Sequence, residues 1–423
     1  MTDFSFFNYS YFGLYNIFIN FVFRKQTIES YMKIKGLFNK DFTLDIDNIS
    51  LIPCFAKLKK TKQSKTYHQE GSAWIHTLLV VEAMEKLLQG KETVGSENWQ
   101  LMIASALCHD LGKGKTNYYD KEAKDYKCKN HGYEGSKIVR ELFRDEDILL
   151  REKLCYMVRY HMTLHYVLRE NQNMELKLKK LSHGIVDIEH MLMLNYCDCM
   201  GSHNDIETEE HINNKMRTIR EKCLELDCLN KPYSKENKTD LIKSFLKKEG
   251  ENNEKGKFNV YIMCGFPGCG KSTYIKENLS DKKVISRDII RCELRINGAN
   301  FDNNKKTVGS KEEEKRVSKI CDNTMLNCCK KHEDFVIDNI NLREVYRKEI
   351  ISKIIKYSPT IHIIYIEAPK ILASCMDRRE GEIEIGVYEK MINYFDIPNL
   401  YECHELVFVK QKENGEYNTF SFE

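Results

Sequence analysis

The sequence predicts two domains, an all-α domain followed by an α/β domain with a parallel sheet and helices on both faces. Three observations lead there. The chain has 423 residues, enough for two or three domains that each bury a core. Between residues 72 and 111 apolar side chains recur at helical spacing, whereas beyond residue 258 short apolar runs alternate with helical stretches. The intervening residues 234–257 are polar, rich in lysine and glutamate, and end in EGENNEKGK. That composition suits a linker with at most a short helix near residues 241–248. The expected division is therefore an extension (1–31), a helical domain (32–233), a linker (234–257) and an α/β domain (258–423).

Composition narrows the setting. Lys+Arg 66 against Asp+Glu 63 leaves a net charge of +3, so any site for nucleic acid has to be local. Sixteen cysteines occur without a C-x-x-C pair, and Cys264 and Cys269 flank a glycine-rich loop where a disulfide would serve nothing. Reduced thiols in a cytoplasmic protein are expected. Residues 4–23 carry no charge and precede Arg24 and Lys25, long enough to span a bilayer, but they hold Asn8, Asn16 and Asn20 and no small-residue cleavage site. They are expected to be a poorly ordered or docked extension, with Met32 a candidate start. Its deletion should leave a soluble, active protein, and no membrane contact is expected.

The first helix, residues 72–88, places Leu79, Val80, Ala83 and Leu87 on the face that carries His76. A lone histidine on an apolar face is ordinarily a core residue. The next helix, residues 99–111, packs through Leu101, Ala104, Leu107, Cys108 and Leu111 and ends in His109-Asp110, with Lys113 three residues beyond Asp110. A histidine and an aspartate side by side offer metal ligands, and the lysine offers a cation for phosphate. Further on come His131 in NHGYEG, His161 in VRYHMTLH and Asp198 in HMLMLNYCDCMGS. Helical spacing from Met191 and Leu194 puts the Asp198 carboxylate on an apolar face, where it needs a cation or several hydrogen bonds to stay ionised. As an ordered set, His76, His109, Asp110 and Asp198 are far more specific than any member.

In the second half, the stretch 265–273, GFPGCGKST, fits the P-loop pattern G-x-x-x-x-G-K-[ST], and the apolar run 258–264 before it reads as a buried strand. Gly265, Gly268 and Gly270 permit the tight turn that aims backbone N–H groups, and the N-terminus of a helix starting near Lys271, at phosphate oxygens. Lys271 would reach the β/γ-phosphates, Ser272 would hold Mg²⁺, and Thr273 beside it is a further candidate contact; ATP or another nucleoside triphosphate is the expected cofactor. Apolar runs 283–285, 335–337 and 361–366 continue the parallel sheet. Sites in such sheets lie beyond the strand C-termini. Ser286-Arg287-Asp288 follows one strand and Asp338-Asn339 the next. Asp288 is equally a general base for an attacking hydroxyl or a helix N-cap.

Residues 32–233 resemble the HD phosphohydrolase superfamily, and LCHDLGKGKT with NHGYEG looks especially like the HD domain of some bacterial CCA-adding enzymes. The resemblance implies metal ligation by His76, His109, Asp110 and Asp198, with His131 and His161 matching the extra histidines of two-metal members. It also implies that Lys113 meets the substrate phosphate. The metal would be Mn²⁺, Ni²⁺, Co²⁺, Fe²⁺ or Zn²⁺, and the chemistry metal-assisted hydrolysis of a phosphoester.

Residues 258–423 are similar to the kinase domain of bacteriophage polynucleotide kinase through GFPGCGKST, SRDIIR, IDNIN, MDRREG and YFDIPNLYE. That similarity implies Asp288 as general base for a 5′-hydroxyl and Arg291 on the acceptor phosphate. Asp338, with Asn339 beside it, stands near the metal and acceptor, and a lid arginine at Arg378 or Arg379 acts on the donor phosphates. The family's lid arginines are usually spaced apart, whereas these two are adjacent. Together the halves resemble the bacterial HD-domain polynucleotide kinases, which implies an enzyme healing RNA ends, or DNA ends. No K-x-D-G motif is present, so sealing would fall to a separate ligase. The alternatives are a small-molecule or nucleoside kinase fused to a phosphohydrolase, and a nucleotide-sensing helical module that regulates an ATPase.

Overall fold

The computed structural model describes residues 32–168, 174–203, 208–233, 238–246, 258–299, 308–367, 385–411 and 416–422. The extension 1–31 and the lid candidates Arg378 and Arg379 lie outside them. By contact, the described residues fall into two units, one up to Tyr233 and one from Lys238 onward.

The first unit is helical: α1 (Ala73–Leu88), α2 (Glu97–Cys108), α3 (His131–Leu142), α4 (Ile148–Val167), α5 (Met174–Ser182), α6 (Ile188–Gly201) and α7 (Glu209–Glu225). Ser72 and Ser96 cap α1 and α2, each side-chain oxygen accepting from a backbone N–H three residues on. From Leu101 to Cys108 every residue of α2 is buried, which makes it the central helix of the unit. On α1 the buried stripe runs through Ala73, His76, Thr77, Val80, Met84 and Leu88. Val80 thus shares the face of His76 as expected, while Leu79, Ala83 and Leu87 sit half-buried at its edge. One feature was not expected: an antiparallel hairpin, β1 (Asn117–Asp120) and β2 (Asp125–Cys128), interrupts the helices. It is anchored to the chain before α1, since Asn117 Nδ2 donates to Lys62 O at 2.7 Å and the Ser64 hydroxyl donates to Asp125.

The second unit is α/β, with α8 (Lys238–Leu246), β3 (Asn259–Cys264), α9 (Lys271–Asn278), β4 (Lys283–Ile285), α10 (Arg287–Glu293), α11 (Lys311–Lys331), β5 (Phe335–Ile337), α12 (Glu344–Ile354), β6 (Thr360–Glu367), α13 (Ile385–Tyr394), β7 (Glu405–Gln411) and β8 (Tyr417–Phe422). The sheet order is β4-β5-β3-β6-β7-β8, parallel from β4 to β7, with β8 antiparallel at one edge. The apolar runs read from sequence are β3, β4, β5 and β6, an edge strand and the three strands that follow it across the sheet. Strand β7 was legible in the buried apolar run 406–409 but was not read, whereas β8 mixes polar side chains with apolar ones and sits at the edge. Helix α8 lies where a linker was expected, yet its Leu241 and Ile242 are fully buried and Phe245 packs on Tyr401, ring centroids 4.9 Å apart. Behind the sheet, fully buried Arg347 forms a two-point ion pair with Glu402 at 2.8 and 3.1 Å. The described cysteines are all free thiols, and no described helix is long and apolar enough to cross a membrane.

Candidate active sites

In the helical unit, five elements deliver the charged side chains to one buried point. His76 comes from α1, His109 and Asp110 from the end of α2, His131 from the start of α3, His161 from α4 and Asp198 from α6. Their convergence requires glycine at Gly112, where a Cβ would lie 1.9 Å from His131 O. It requires glycine again at Gly201, where a Cβ would meet Val80 N at 2.9 Å. Side chains at those positions would push the doublet away from α3, and α6 away from α1.

Asp110 joins two half-sites. Its Oδ2 is 3.3 Å from His109 Nε2 and 3.7 Å from His76 Nε2, while its Oδ1 is 3.3 Å from His131 Nε2 and 3.9 Å from His161 Nε2. Asp198 Oδ1 completes the first half-site, 2.9 Å from His76 Nε2 and 3.6 Å from His109 Nε2. The outer ring nitrogens fix the tautomers. Nδ1 of His109, His131 and His161 donates to the carbonyls of Ala106, Cys128 and Val158 at 2.8, 2.8 and 2.7 Å. Because a carbonyl only accepts, each Nδ1 carries the hydrogen and each Nε2 turns inward as a potential ligand.

The residues fit a metal on the structure's own terms. Asp110 Oδ2 is a fully buried oxygen with the inward Nε2 atoms of His109 and His76 at 3.3 and 3.7 Å, and His131 Nε2 faces His161 Nε2 at 3.0 Å with both outer nitrogens already committed as donors. Imidazole with carboxylate is a donor set for Mn²⁺, Fe²⁺, Co²⁺, Ni²⁺ or Zn²⁺, and the groups His76/His109/Asp110 and Asp110/His131/His161 are compact enough to hold an ion each. The electrostatics agree. Burial opposes charge on His109, yet Asp110 and Asp198 hold the ring up to about 10. Burial likewise opposes charge on Asp110 and Asp198, yet the field of His109, with Lys113 beside Asp110, holds both carboxyls well below the usual carboxylate range. Burial, with His131 and His109, drives His161 down to about 3. Two ionised carboxylates among inward-turned imidazole nitrogens form a set that could hold a cation.

Lys113 Nζ lies 2.6 Å from Asp110 Oδ2 and donates to Gln63 Oε1 at 2.7 Å. Three further residues, absent from the sequence reading, complete the surround. Glu70 Oε1 is 3.1 Å from His76 Nδ1 and 2.8 Å from His68 Nδ1. His165 Nε2 is 2.9 Å from Asp198 Oδ2. His165 was legible, standing four residues from His161 on one helix face. Glu70 and His68 precede α1 in an irregular stretch, where no period marks them.

In the α/β unit, the loops after β3, β4 and β5 are neighbours because those strands are. Gly265 N donates to Ile340 O at 3.1 Å and Asp338 N to Ile285 O at 2.9 Å. Gly265 (φ +155°) has no room for a side chain, since a Cβ would meet Ile366 O at 2.8 Å, and Gly268 and Gly270 take φ of 77° and 99°. Gly270 is the N-cap of α9, so Lys271, Ser272 and Thr273 form its first turn. Lys271 Nζ donates back to the carbonyls of Gly265 and Phe266 at 2.9 and 2.8 Å. Ser272 Oγ donates to Asp338 Oδ2 at 3.3 Å, pairing the two oxygens expected around Mg²⁺. The N-cap alternative for Asp288 does not hold: Ser286 occupies the cap position, and Asp288 stands in the first turn of α10 with Oδ1 2.8 Å from Arg291 NH1. Asn339 Oδ1 accepts from Arg287 N at 3.3 Å. Glu314 of α11 spans both arginines, at 2.5 Å from Arg287 NH2 and 2.8 Å from Arg291 Nε and NH2.

Residues 73–183 match the family model for the HD domain, and residues 260–387 match that for an AAA domain. The chain is similar to the multifunctional CCA proteins of Actinobacillus pleuropneumoniae serotype 5b (strain L20) and serotype 7 (strain AP76). Each is 37% identical over 94 residues, 22% of this chain and 20% of the relative. The chain thus spans about a fifth of the length of these curated relatives. A solved structure of a Pnkp1/Rnl/Hen1 complex is 18% identical with a TM-score of 0.26, over 32% of this chain and 44% of that one, a likeness too distant to bear on fold or function. The chain therefore carries an HD domain and a P-loop domain of kinase type, each with its charged residues gathered at one site.

Proposed function

We propose that this chain, an HD domain joined to a P-loop domain of kinase type, heals polynucleotide ends. The α/β unit phosphorylates a 5′-hydroxyl from ATP or another nucleoside triphosphate, and the helical unit removes a 2′,3′-cyclic, 2′- or 3′-phosphate. Ribonucleases that use the 2′-hydroxyl as nucleophile leave a cyclic phosphate and a 5′-hydroxyl, whereas a ligase needs a 3′-hydroxyl and a 5′-phosphate. One chain able to add phosphate and to remove it can repair both ends, and a separate ligase then seals them. RNA ends are the leading substrate and DNA ends the second. The free thiols suit the reducing cytoplasm.

The observation that carries the reading is the Asp288–Arg291 pair beside an intact P-loop, 2.8 Å apart at the C-terminal edge of the sheet. An aspartate there accepts a proton from an attacking hydroxyl, and an arginine within its reach suits an acceptor that itself bears a phosphate. Lys271 and the loop amides would hold the donor phosphates, and Ser272 with Asp338 would hold Mg²⁺, which draws charge from the transferring phosphoryl group. In the helical unit, His76, His109, Asp110 and Asp198 would hold one ion, and Asp110, His131 and His161 a second. Bound there, the metal supplies an acidified water and a clamp for phosphate charge. Lys113, drawn to Asp110, supplies a cation for a phosphate oxygen.

The test is an RNA oligomer with a 5′-hydroxyl and a 2′,3′-cyclic phosphate. ATP with Mg²⁺ should label the 5′ end, and Mn²⁺, Ni²⁺ or Co²⁺ without ATP should convert the 3′ end to a hydroxyl. Labelling of nucleosides or sugars with no labelling of oligomers would give the kinase to small molecules and refute the reading.

A further inference from the structure

The metal-ligand cluster of the helical unit forms the floor of a cavity of about 800 Å³, near the upper end of the range for small-molecule pockets, roughly 300–1,000 Å³. Its upper walls reach well beyond the ligand set. Three segments supply them: the stretch 63–68, the end of the hairpin with the turn into α3, and one face of α4. Four tyrosines line them, Tyr67, Tyr126, Tyr133 and Tyr166. Tyr67 and Tyr166 are 50% and 43% exposed, unusually wet for large rings at the mouth of a pocket.

Charge separates floor from rim. The only carboxylates among the lining residues are Asp110 and Asp198, both at the floor. The upper lining carries Lys127, Lys129 and Arg159. Lys127 is held by Asp120 at 2.6 Å, and with Lys129 and Arg159 it makes this wall basic in composition. The Arg159 guanidinium lies 5.1 Å from the ring centre of Tyr133 and 5.5 Å from that of Tyr160, and Lys137 Nζ lies 4.2 Å from that of Tyr133, so Tyr133 serves to hold cations at the wall.

We infer that this cavity is a binding cleft for the last few nucleotides of a single strand: bases stack on the exposed Tyr67 and Tyr166, and backbone phosphates meet Lys129 and Arg159. A positive channel interleaved with aromatic faces is how proteins hold single strands without reading sequence. A site built to reach a lone phosphate needs the floor and Lys113 alone. The inference deepens the proposed function and rests on its reading of the helical unit as a 3′-end phosphatase. It also gives the hairpin a purpose: anchored through Ser64 and Asn117, it fixes Tyr126, Lys127 and Lys129 on the rim.

The full-length chain is tested with a six-nucleotide RNA bearing a 5′-phosphate, which denies it to the kinase, and a 3′-phosphate. The comparison substrate is adenosine 3′-monophosphate. Binding is read by anisotropy of an internally labelled oligomer with chelator present, and turnover with Mn²⁺ and no ATP. The oligomer should have a KM at least tenfold below that of the mononucleotide. Tyr166→Ala and Tyr67→Ala should each weaken oligomer binding by roughly 5- to 150-fold, the span of one base–aromatic stack, with KM rising far more than kcat falls. Tyr166→Phe should restore binding. Lys129→Gln and Arg159→Gln should each flatten the dependence of log Kd on log salt by about 0.7. Equal KM for oligomer and mononucleotide, or alanine variants that shift neither Kd nor KM, would overturn the cleft while leaving 3′-phosphate removal in place. Failure to act on any polynucleotide 3′ end would overturn the phosphatase reading itself.

Discussion

Asp110→Ala is the sharpest perturbation of the helical unit because one carboxylate serves both half-sites. Its two oxygens stand 3.3 Å from His109 Nε2 and 3.3 Å from His131 Nε2. Loss of a group that merely orients a ligand costs about 10–100-fold in metal affinity. A residue that touches each half-site directly should cost at least that in each, so joint retention of two ions should fall by roughly 10²–10⁴ or more. In rate, that range corresponds to about 3–5 kcal/mol of lost barrier reduction. Asp110→Asn separates charge from shape, since it leaves one oxygen for one half-site and should keep a single ion weakly. The assay pairs metal content after dialysis against Mn²⁺ or Ni²⁺ with 3′-dephosphorylation, and 5′-labelling of the same preparation reports that the other unit is folded and active. An alanine variant that keeps its full metal complement, or dephosphorylates within tenfold of the parent, would refute the shared-carboxylate geometry. Loss of 5′-labelling as well would argue for one composite site.

Four further outcomes follow from the geometry. Asp288→Ala should lower 5′-phosphorylation by about 10²–10⁴ while sparing 3′-dephosphorylation, measured on one doubly damaged oligomer. Glu70→Gln weakens the hold on His76 Nδ1, so metal affinity should drop about 10–100-fold with the fold intact, read by metal titration. Glu402→Ala strands the fully buried Arg347 charge and should destabilise the α/β unit by about 3–5 kcal/mol in denaturant unfolding, whereas Arg347→Met with Glu402→Leu should recover much of the loss. Glu314 is held down to about 2 by Arg291, against its own burial, with help from Arg287. A depressed carboxyl contributes stability above its ordinary value near 4.5 and loses it as pH falls toward about 2, so wild type should lose more stability than Glu314→Gln between pH 5 and pH 2.5.

The sequence exposed what is periodic or spelled by a motif and hid what depends on tertiary contact. His76 and Asp198 could be placed on apolar helix faces, and His109-Asp110 at a helix end, because those elements have regular periods. The P-loop was legible because its glycines answer to backbone geometry, as the φ of Gly268 and Gly270 shows. The hairpin between α2 and α3 was not legible: NYYD and DYKC are polar, exposed strands with no buried face to set a period of two. Glu70 and His68 escaped because their value lies wholly in reaching His76 from an irregular segment. For Asp288 the spacing alone allowed a cap or a base, and the cap position at Ser286 removed the first.

In the proposed function the two units would handle phosphate by opposite electrostatics, and a net charge of +3 conceals both. In the P-loop unit the protein brings positive charge to an anion: loop amides, the N-terminus of α9 and Lys271, whose Nζ already leans on the Gly265 and Phe266 carbonyls. In the helical unit Asp110 and Asp198, held ionised against burial, would hold a cation, and Lys113 would offer a second positive charge to a phosphate oxygen. Raised salt should therefore weaken the surface-borne approach of a strand to either centre, through screening. Chelation acts differently. At constant free Mg²⁺, a chelator selective for transition ions should silence the helical centre alone, because only that centre depends on imidazole nitrogen to hold its metal. Equal loss of both activities under that chelator would show that the kinase centre shares the transition ion and that the two chemistries are not independent.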